Sequence, residues 1–207
     1  MESAWLDRWL TILADRLSQV GVNQWQMFEP TPSFYASLES GDEGGVASAA
    51  EEIGRFILLP AIPRVTYEWG LRMDPKAAGQ IRMRGGGPSH IRIPLFYVGR
   101  THALGAILAH ELTHEKLASI ACEYASVEEL ERVTDLASIV LGLGKLVLNG
   151  LVTDVAASTG EHQVLGYLHP EEVAYAYRCL TRKYGMAESV ATRNLTDAAE
   201  KLVSRTS

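Results

Sequence analysis

The residues best suited to chemistry are His110, Glu111 and His114, which form the run His110-Glu111-Leu112-Thr113-His114, an HExxH. Residues four apart on a helix share a face, so both imidazoles can reach one metal ion. Glu111 lies one step round the same turn, beside an open coordination position, where it can take a proton from metal-bound water. The chemistry this spacing suits is metal-assisted hydrolysis. The competing reading is a helix with two packing or capping histidines. The apolar run Ala103-Leu104-Gly105-Ala106-Ile107-Leu108-Ala109 ahead of the motif predicts a helix crossing a core, which favours the metal.

Two histidines and a water leave a catalytic zinc one protein ligand short. Downstream, Ser126-Val127-Glu128-Glu129 reads as a capping box opening a second helix. Glu128, Glu131 and Asp135 fall three and four apart on it and share one face. Glu128 sits near the helix start, where the dipole favours an acid in any case. Glu131-Arg132-Val133-Thr134-Asp135 is an ExxxD.

An HExxH followed by a helix carrying ExxxD resembles the gluzincin peptidases. The resemblance implies Glu131 as the third ligand, with Asp135 orienting a ligating histidine from behind. Asp135 as the ligand itself is the main competitor. More narrowly, the strand, HExxH helix and acid-bearing helix resemble the small IrrE-like metallopeptidases, over about residues 60–185. That group includes CapP-like proteases of bacterial anti-phage (CBASS) systems. The chain departs from the IrrE pattern in having Thr134-Asp135-Leu136-Ala137 where Glu-Ala-Asn is usual. The resemblance implies intracellular regulatory proteolysis: a protein substrate such as a cognate transcriptional repressor, cut in some members on a DNA-damage or nucleic-acid signal.

These residues need a scaffold. Trp5, Leu6, Trp9, Leu10, Leu13 and Leu17 predict an amphipathic helix over 3–20. Residues 29–45 read as a loop, and 47–59 as a helix ended by Pro60. Strands are predicted at 65–69, 80–84 and 89–94, the last two pairing through Gly85-Gly86-Gly87-Pro88. An extended substrate adds a strand at a sheet edge, and the 89–94 strand is expected to supply that edge beside the HExxH helix. The apolar stretch 136–152 reads as one central buried helix, interrupted by Lys145, Asn149 and the glycines at 142 and 144. Those glycines are expected to let a neighbouring element approach closely. Pro170 opens a helix to about 184, and a short helix follows from 195. The expectation is α+β: a mostly helical single domain with a small antiparallel sheet whose edge strand flanks the HExxH helix. Residues 1–60 form a helical extension packed on a core of 61–207.

Other residues are candidates for supporting roles. Tyr167 and His169 lie in a loop before a helix, where either can donate to an oxyanion; core packing and helix capping are the plainer alternatives. Cys122 follows the metal helix. If that helix ends near 119, the thiol can turn back towards zinc and silence it; the plainer reading is a small buried apolar residue. A helix running through 122 would carry the thiol about 12 Å further along the axis. Arg82, Arg84, His90 and Arg92 alternate to one face of the sheet, a strip able to contact single-stranded DNA or an acidic substrate segment. The plainer reading is a solvated sheet face.

The chain has 207 residues, 47 % hydrophobic and 21 % charged, enough for one sizeable core. A net charge of −6 argues against a nucleic-acid binder as a whole. Met1-Glu2-Ser3-Ala4-Trp5 lacks a secretory signal, and two cysteines fit a reducing cytoplasm. The reading is a cytoplasmic zinc (Zn2+) metallopeptidase with Glu111 as general base. The alternatives are a non-catalytic zinc-binding regulator, with Cys122 closing a structural site, and a nucleic-acid-responsive stress sensor.

Overall fold

The computed structural model describes residues 3–19, 25–69, 79–82, 89–120, 122–153 and 165–206. Helices α1 (Ser3–Gln19), α2 (Pro32–Glu39) and α3 (Glu43–Phe56) lead into strands β1 (Arg64–Glu68), β2 (Gln80–Arg82) and β3 (His90–Pro94). Then follow α4 (Thr101–Leu117), α5 (Val127–Val140), α6 (Gly144–Thr153), α7 (Pro170–Lys183), α8 (Glu188–Thr192) and α9 (Asp197–Arg205). The class is α+β, as expected, with helices dominating.

The sheet is mixed rather than antiparallel. Its order is β1-β3-β2, with β3 parallel to β1 and antiparallel to β2. Strand β2 pairs antiparallel with β3, as expected, with Ile81 opposite Ile91, but β3 is the central strand, so the edge beside α4 is β2. The alternation along β3 holds: Ile91 and Ile93 are fully buried, while His90 and Arg92 face outwards.

Every face of α4 between Ala103 and Ala109 is apolar, and the helix runs through the middle of the core. It lies against α6 where Gly150 allows it: a Cβ there would come 2.3 Å from that of Ala106. The expected single helix over 136–152 is broken. At its end, Gly142 N–H bonds to Ile139 O and Leu143 N–H to Ser138 O, the two bonds of a left-handed glycine cap. Gly142 takes φ +89, and any Cβ there would collide with Gln26 O. Gly144 instead admits the Tyr177 ring of α7.

The predicted 29–45 loop contains α2. Thr31 Oγ1 accepts from Phe34 N–H and Pro32 fills the first helical position, a strong start for a short element. Asp42 caps α3 through Gly45 N–H at 2.7 Å, so that helix starts earlier than its apolar positions suggested. At the carboxyl end, α9 is the short helix expected from 195, and α8 is an additional one ahead of it. Residues 1–60 share the common core: Leu6, Leu13, Phe34, Leu38 and Ile53 are buried with Leu104, Leu136 and Tyr177. Helix α1 rests on α5 and α7, tied by Trp9 Nε1–H to Glu129 Oε1 at 3.3 Å.

Candidate metal centre

Two helices build the site. From α4 come His110, Glu111 and His114; from α5 come Glu131, Thr134 and Asp135. Ser126 caps α5, its Oγ accepting from Glu129 N–H at 3.0 Å. Glu129 returns a bond to Ala125 N–H, one residue short of the reciprocal capping-box partner. That start sets the phase of the helix and turns Glu131 towards α4.

His110 Nε2, His114 Nε2 and Glu131 Oε2 meet at one point. The separations are 3.0 Å between the rings, 3.0 Å from His110 to Glu131 and 3.1 Å from His114 to Glu131. Such a near-equilateral triangle is slightly tighter than the roughly 3.3–3.4 Å edge of a tetrahedron with ligand distances of about 2.0–2.1 Å, and one ion above it can reach all three atoms. Among the described residues these three form the one group of ligand-type side chains gathered closely enough to hold a metal ion.

Asp135 is not in the triangle. Its Oδ1 takes His110 Nδ1–H at 2.7 Å, and its Oδ2 accepts from the Tyr167 and Leu168 N–H groups at 2.5 and 3.0 Å. Both oxygens point away from the meeting point. Orienting His110 from behind turns its Nε2 lone pair inwards. The same carboxylate fastens the Gly166–Leu168 bend, where Gly166 at φ +96 lets the chain pass against it.

The surroundings favour a cation. Three carboxylates, from Glu111, Glu131 and Asp135, surround two imidazoles in a largely buried space. Burial opposes charge on His110, yet its bonds to Asp135 and Glu131 raise its pKa well above the usual 6.5. Burial also pushes Glu131 up, but the two rings outweigh it and hold its carboxyl down at about 2. Burial lifts Glu111 above the ordinary carboxylate range, against the pull of both histidines. The donors present therefore fit a metal ion of the kind that takes imidazole and carboxylate.

Glu111 is 5 % exposed and faces β2. The Ile81 N–H bonds to it, and the chain at Gly79 passes so close that a Cβ would sit 2.7 Å from its Oε1. Neither contact was read from the sequence, although a glycine just ahead of a short strand is a known sign of close backbone approach. Thr134 was likewise passed over, one residue before the acid that was singled out.

The other candidates are scattered. The Tyr167 ring stacks on His110 at 6.2 Å between centroids, at the edge of the site. His169 is exposed at the start of α7, where Glu172 Oε2 accepts its backbone N–H. Glu128 is exposed. Helix α4 does end at Leu117, yet Cys122 is not in the metal group. Its thiol lies beside the Tyr124 hydroxyl, whose pKa is raised by burial and by that neighbour, and the Tyr124 ring stacks on Trp9. Those contacts are the packing ones of a small, partly buried side chain, and Cys122 is not among the residues gathered at the metal group. Arg92 pairs with Glu68 of β1 at 3.0 Å. Arg84 lies outside the described residues, and Arg82 is placed only by its backbone in β2.

Comparison with family models, with curated proteins and with solved structures returns no match. Among the described residues, no helix is long and apolar enough to cross a membrane.

Proposed function

We propose that this chain is a zinc-dependent metallopeptidase, with His110, His114 and Glu131 holding the ion and Glu111 as general base. The observation that carries the reading is the triangle of two Nε2 atoms and one Oε2, with a buried carboxylate one residue along α4 from its first corner. When bound, zinc supplies Lewis acidity, polarising a scissile carbonyl and making water more acidic. Glu111, its basicity raised by burial, takes a proton from water and returns it to the leaving amine. Asp135 holds His110 in place. Tyr167, beside that ring, is assigned as donor to the oxyanion. Strand β2, an edge strand against the general base, suits an extended segment of a protein substrate held by strand addition.

The resemblance to IrrE-like and CapP-like proteases supports an intracellular, regulatory role with a cognate repressor as substrate. Free Cys122 and Cys179 agree with a cytoplasmic setting. The test is elemental analysis of wild type, Glu131→Ala and Glu111→Gln, joined to cleavage of a mixed fluorogenic peptide library. One zinc per chain, lost in Glu131→Ala and kept in Glu111→Gln, with cleavage abolished in both, supports the reading. A wild type without stoichiometric metal, or a Glu111→Gln variant that still cleaves, removes it.

A further inference from the structure

We propose that Thr134 is the positioning residue of His114, fixing the ring tautomer that turns a bare Nε2 towards Glu131. The inference rests on the metal-centre reading and deepens it. Thr134 is fully buried on α5. Its Oγ1 lies 2.8 Å from Leu130 O and 3.3 Å from His114 Nδ1. A threonine hydroxyl has one proton to give. The Leu130 carbonyl can only accept, and 2.8 Å is an ordinary O–H···O length, so the proton points there. Oγ1 then offers His114 only lone pairs, and Nδ1 of the neutral ring carries the hydrogen. The lone pair left on Nε2 sits 3.0 Å from His110 Nε2 and 3.1 Å from Glu131 Oε2.

As ligands, the two rings would thus present the same tautomer by different means. Asp135 does it for His110 with a carboxylate, and Thr134 does it for His114 with a hydroxyl whose proton is directed elsewhere. A carboxylate in both places would add a further negative charge to a pocket already holding three; a hydroxyl orients the ring without one. The arrangement is braced by more hydroxyls between α4 and α5. Ser138 Oγ lies 3.0 Å from both Thr134 O and Thr113 Oγ1, and Thr113 Oγ1 donates to Ala109 O at 2.7 Å. All three side chains are fully buried, which keeps water from competing for His114 Nδ1.

The experiment compares wild type, Thr134→Val and Thr134→Ser by two readouts. One is the ring tautomer of His114 in the metal-free protein, from long-range proton–nitrogen correlations. The other is zinc affinity, from competition with a chromophoric chelator. The wild type and the serine variant are expected to show the Nδ1–H form. The valine variant is expected to show mixed tautomers and to bind zinc roughly 10–100-fold more weakly, serine restoring affinity to within about threefold. A threonine that merely packs would lower the melting temperature of the valine variant and leave tautomer and zinc affinity unchanged, and that result overturns the proposal. So does a wild type carrying the His114 proton on Nε2, whether or not the valine variant folds. A wild type that binds no zinc overturns the metal-centre reading instead; failure of the proposal alone leaves wild-type zinc binding intact.

Discussion

Two regions of this molecule bury polar side chains, and they do it in opposite ways. Around α6, Lys145 is fully enclosed, yet its Nζ donates to Glu29 Oε1 at 2.7 Å and to Val190 O at 2.8 Å. Asn149 donates to Tyr35 Oη and Asn194 O and accepts from Thr196 N–H. Each contact there joins a donor to an acceptor, and the result clasps the 25–30 and 193–196 segments to the core. Between α4 and α5 the outer atoms are matched just as well, His110 Nδ1 to Asp135 and His114 Nδ1 to Thr134. The inner atoms are crowded instead: two ring nitrogens and a carboxylate oxygen face one another at 3.0–3.1 Å, all three within reach of a single point. Burial of polar groups does not by itself mark a site. A set of ligand-type atoms converging on a point, with their other atoms tied down, does.

The sharpest way to break this contrast is at Glu111, which lies beside the triangle without belonging to it. On the proposed peptidase reading, Glu111→Gln is expected to lower peptide cleavage by roughly 10²–10⁴-fold while metal content stays at the wild-type level. A variant that loses its metal would mean the carboxylate holds the site together, and the two regions would then differ less than their geometry implies. The clasp gives the reverse pattern. Lys145→Met removes the cation from a buried pair and is expected to cost about 2–4 kcal/mol in urea unfolding. The lower part of that range applies because the Glu29 side chain is 30 % exposed and keeps Arg193 at 3.5 Å. Zinc stoichiometry should not change. If it does, the clasp and the metal centre are one unit.

Asp135→Asn tests the outer atoms of the site. Three donors face this side chain, from His110 Nδ1, Tyr167 N and Leu168 N. An amide offers one oxygen and an NH2 group, so one of those donors must meet another donor. Zinc affinity is expected to fall roughly 10–100-fold in a chelator competition. Unchanged affinity would show that Asp135 fastens the Tyr167 bend without orienting the ring.

What was legible in the sequence follows from the same physics. Helix periodicity converts spacing directly into geometry, so His110 and His114 were paired by number alone; spacing put Glu128, Glu131 and Asp135 on one face, and the gluzincin resemblance chose Glu131 among them. The alternation that buries Ile91 and Ile93 was equally direct. The break at Gly142 was hidden, since 136–152 is continuously apolar and the helix stops because the backbone turns left-handed against Gln26. The parallel pairing of β1 with β3 was hidden too, because no local signal ties strands so far apart. Thr134 escaped because its role depends on where one hydroxyl proton points, which no spacing rule reports. Cys122 offered two readings from the sequence, a thiol near the metal or a packing residue, because its surroundings are set by the connection, where the Tyr124 ring stacks on Trp9 of α1.

The smallest effect is expected on the outward face of the sheet, and it decides what that face is for. Arg92 and His90 alternate to one side, as a basic strip requires, but both are joined to β1: Arg92 Nη1 to Glu68 Oε2 at 3.0 Å, His90 Nε2 to Thr66 Oγ1 at 2.8 Å. The Glu68 side chain is 34 % exposed, so solvent screens the pair. Arg92→Ala should therefore change stability by under about 1 kcal/mol, and less at high salt. If the strip instead held single-stranded DNA, the substitution would weaken binding of a fluorescent oligonucleotide and lower its salt dependence by about one counterion. An unchanged oligonucleotide titration with a slightly lower melting temperature leaves Arg92 as a cross-strand partner. A lost titration with unchanged stability would move the regulatory signal onto this face and make the sheet, like the space between α4 and α5, a region whose polar groups are arranged for a ligand.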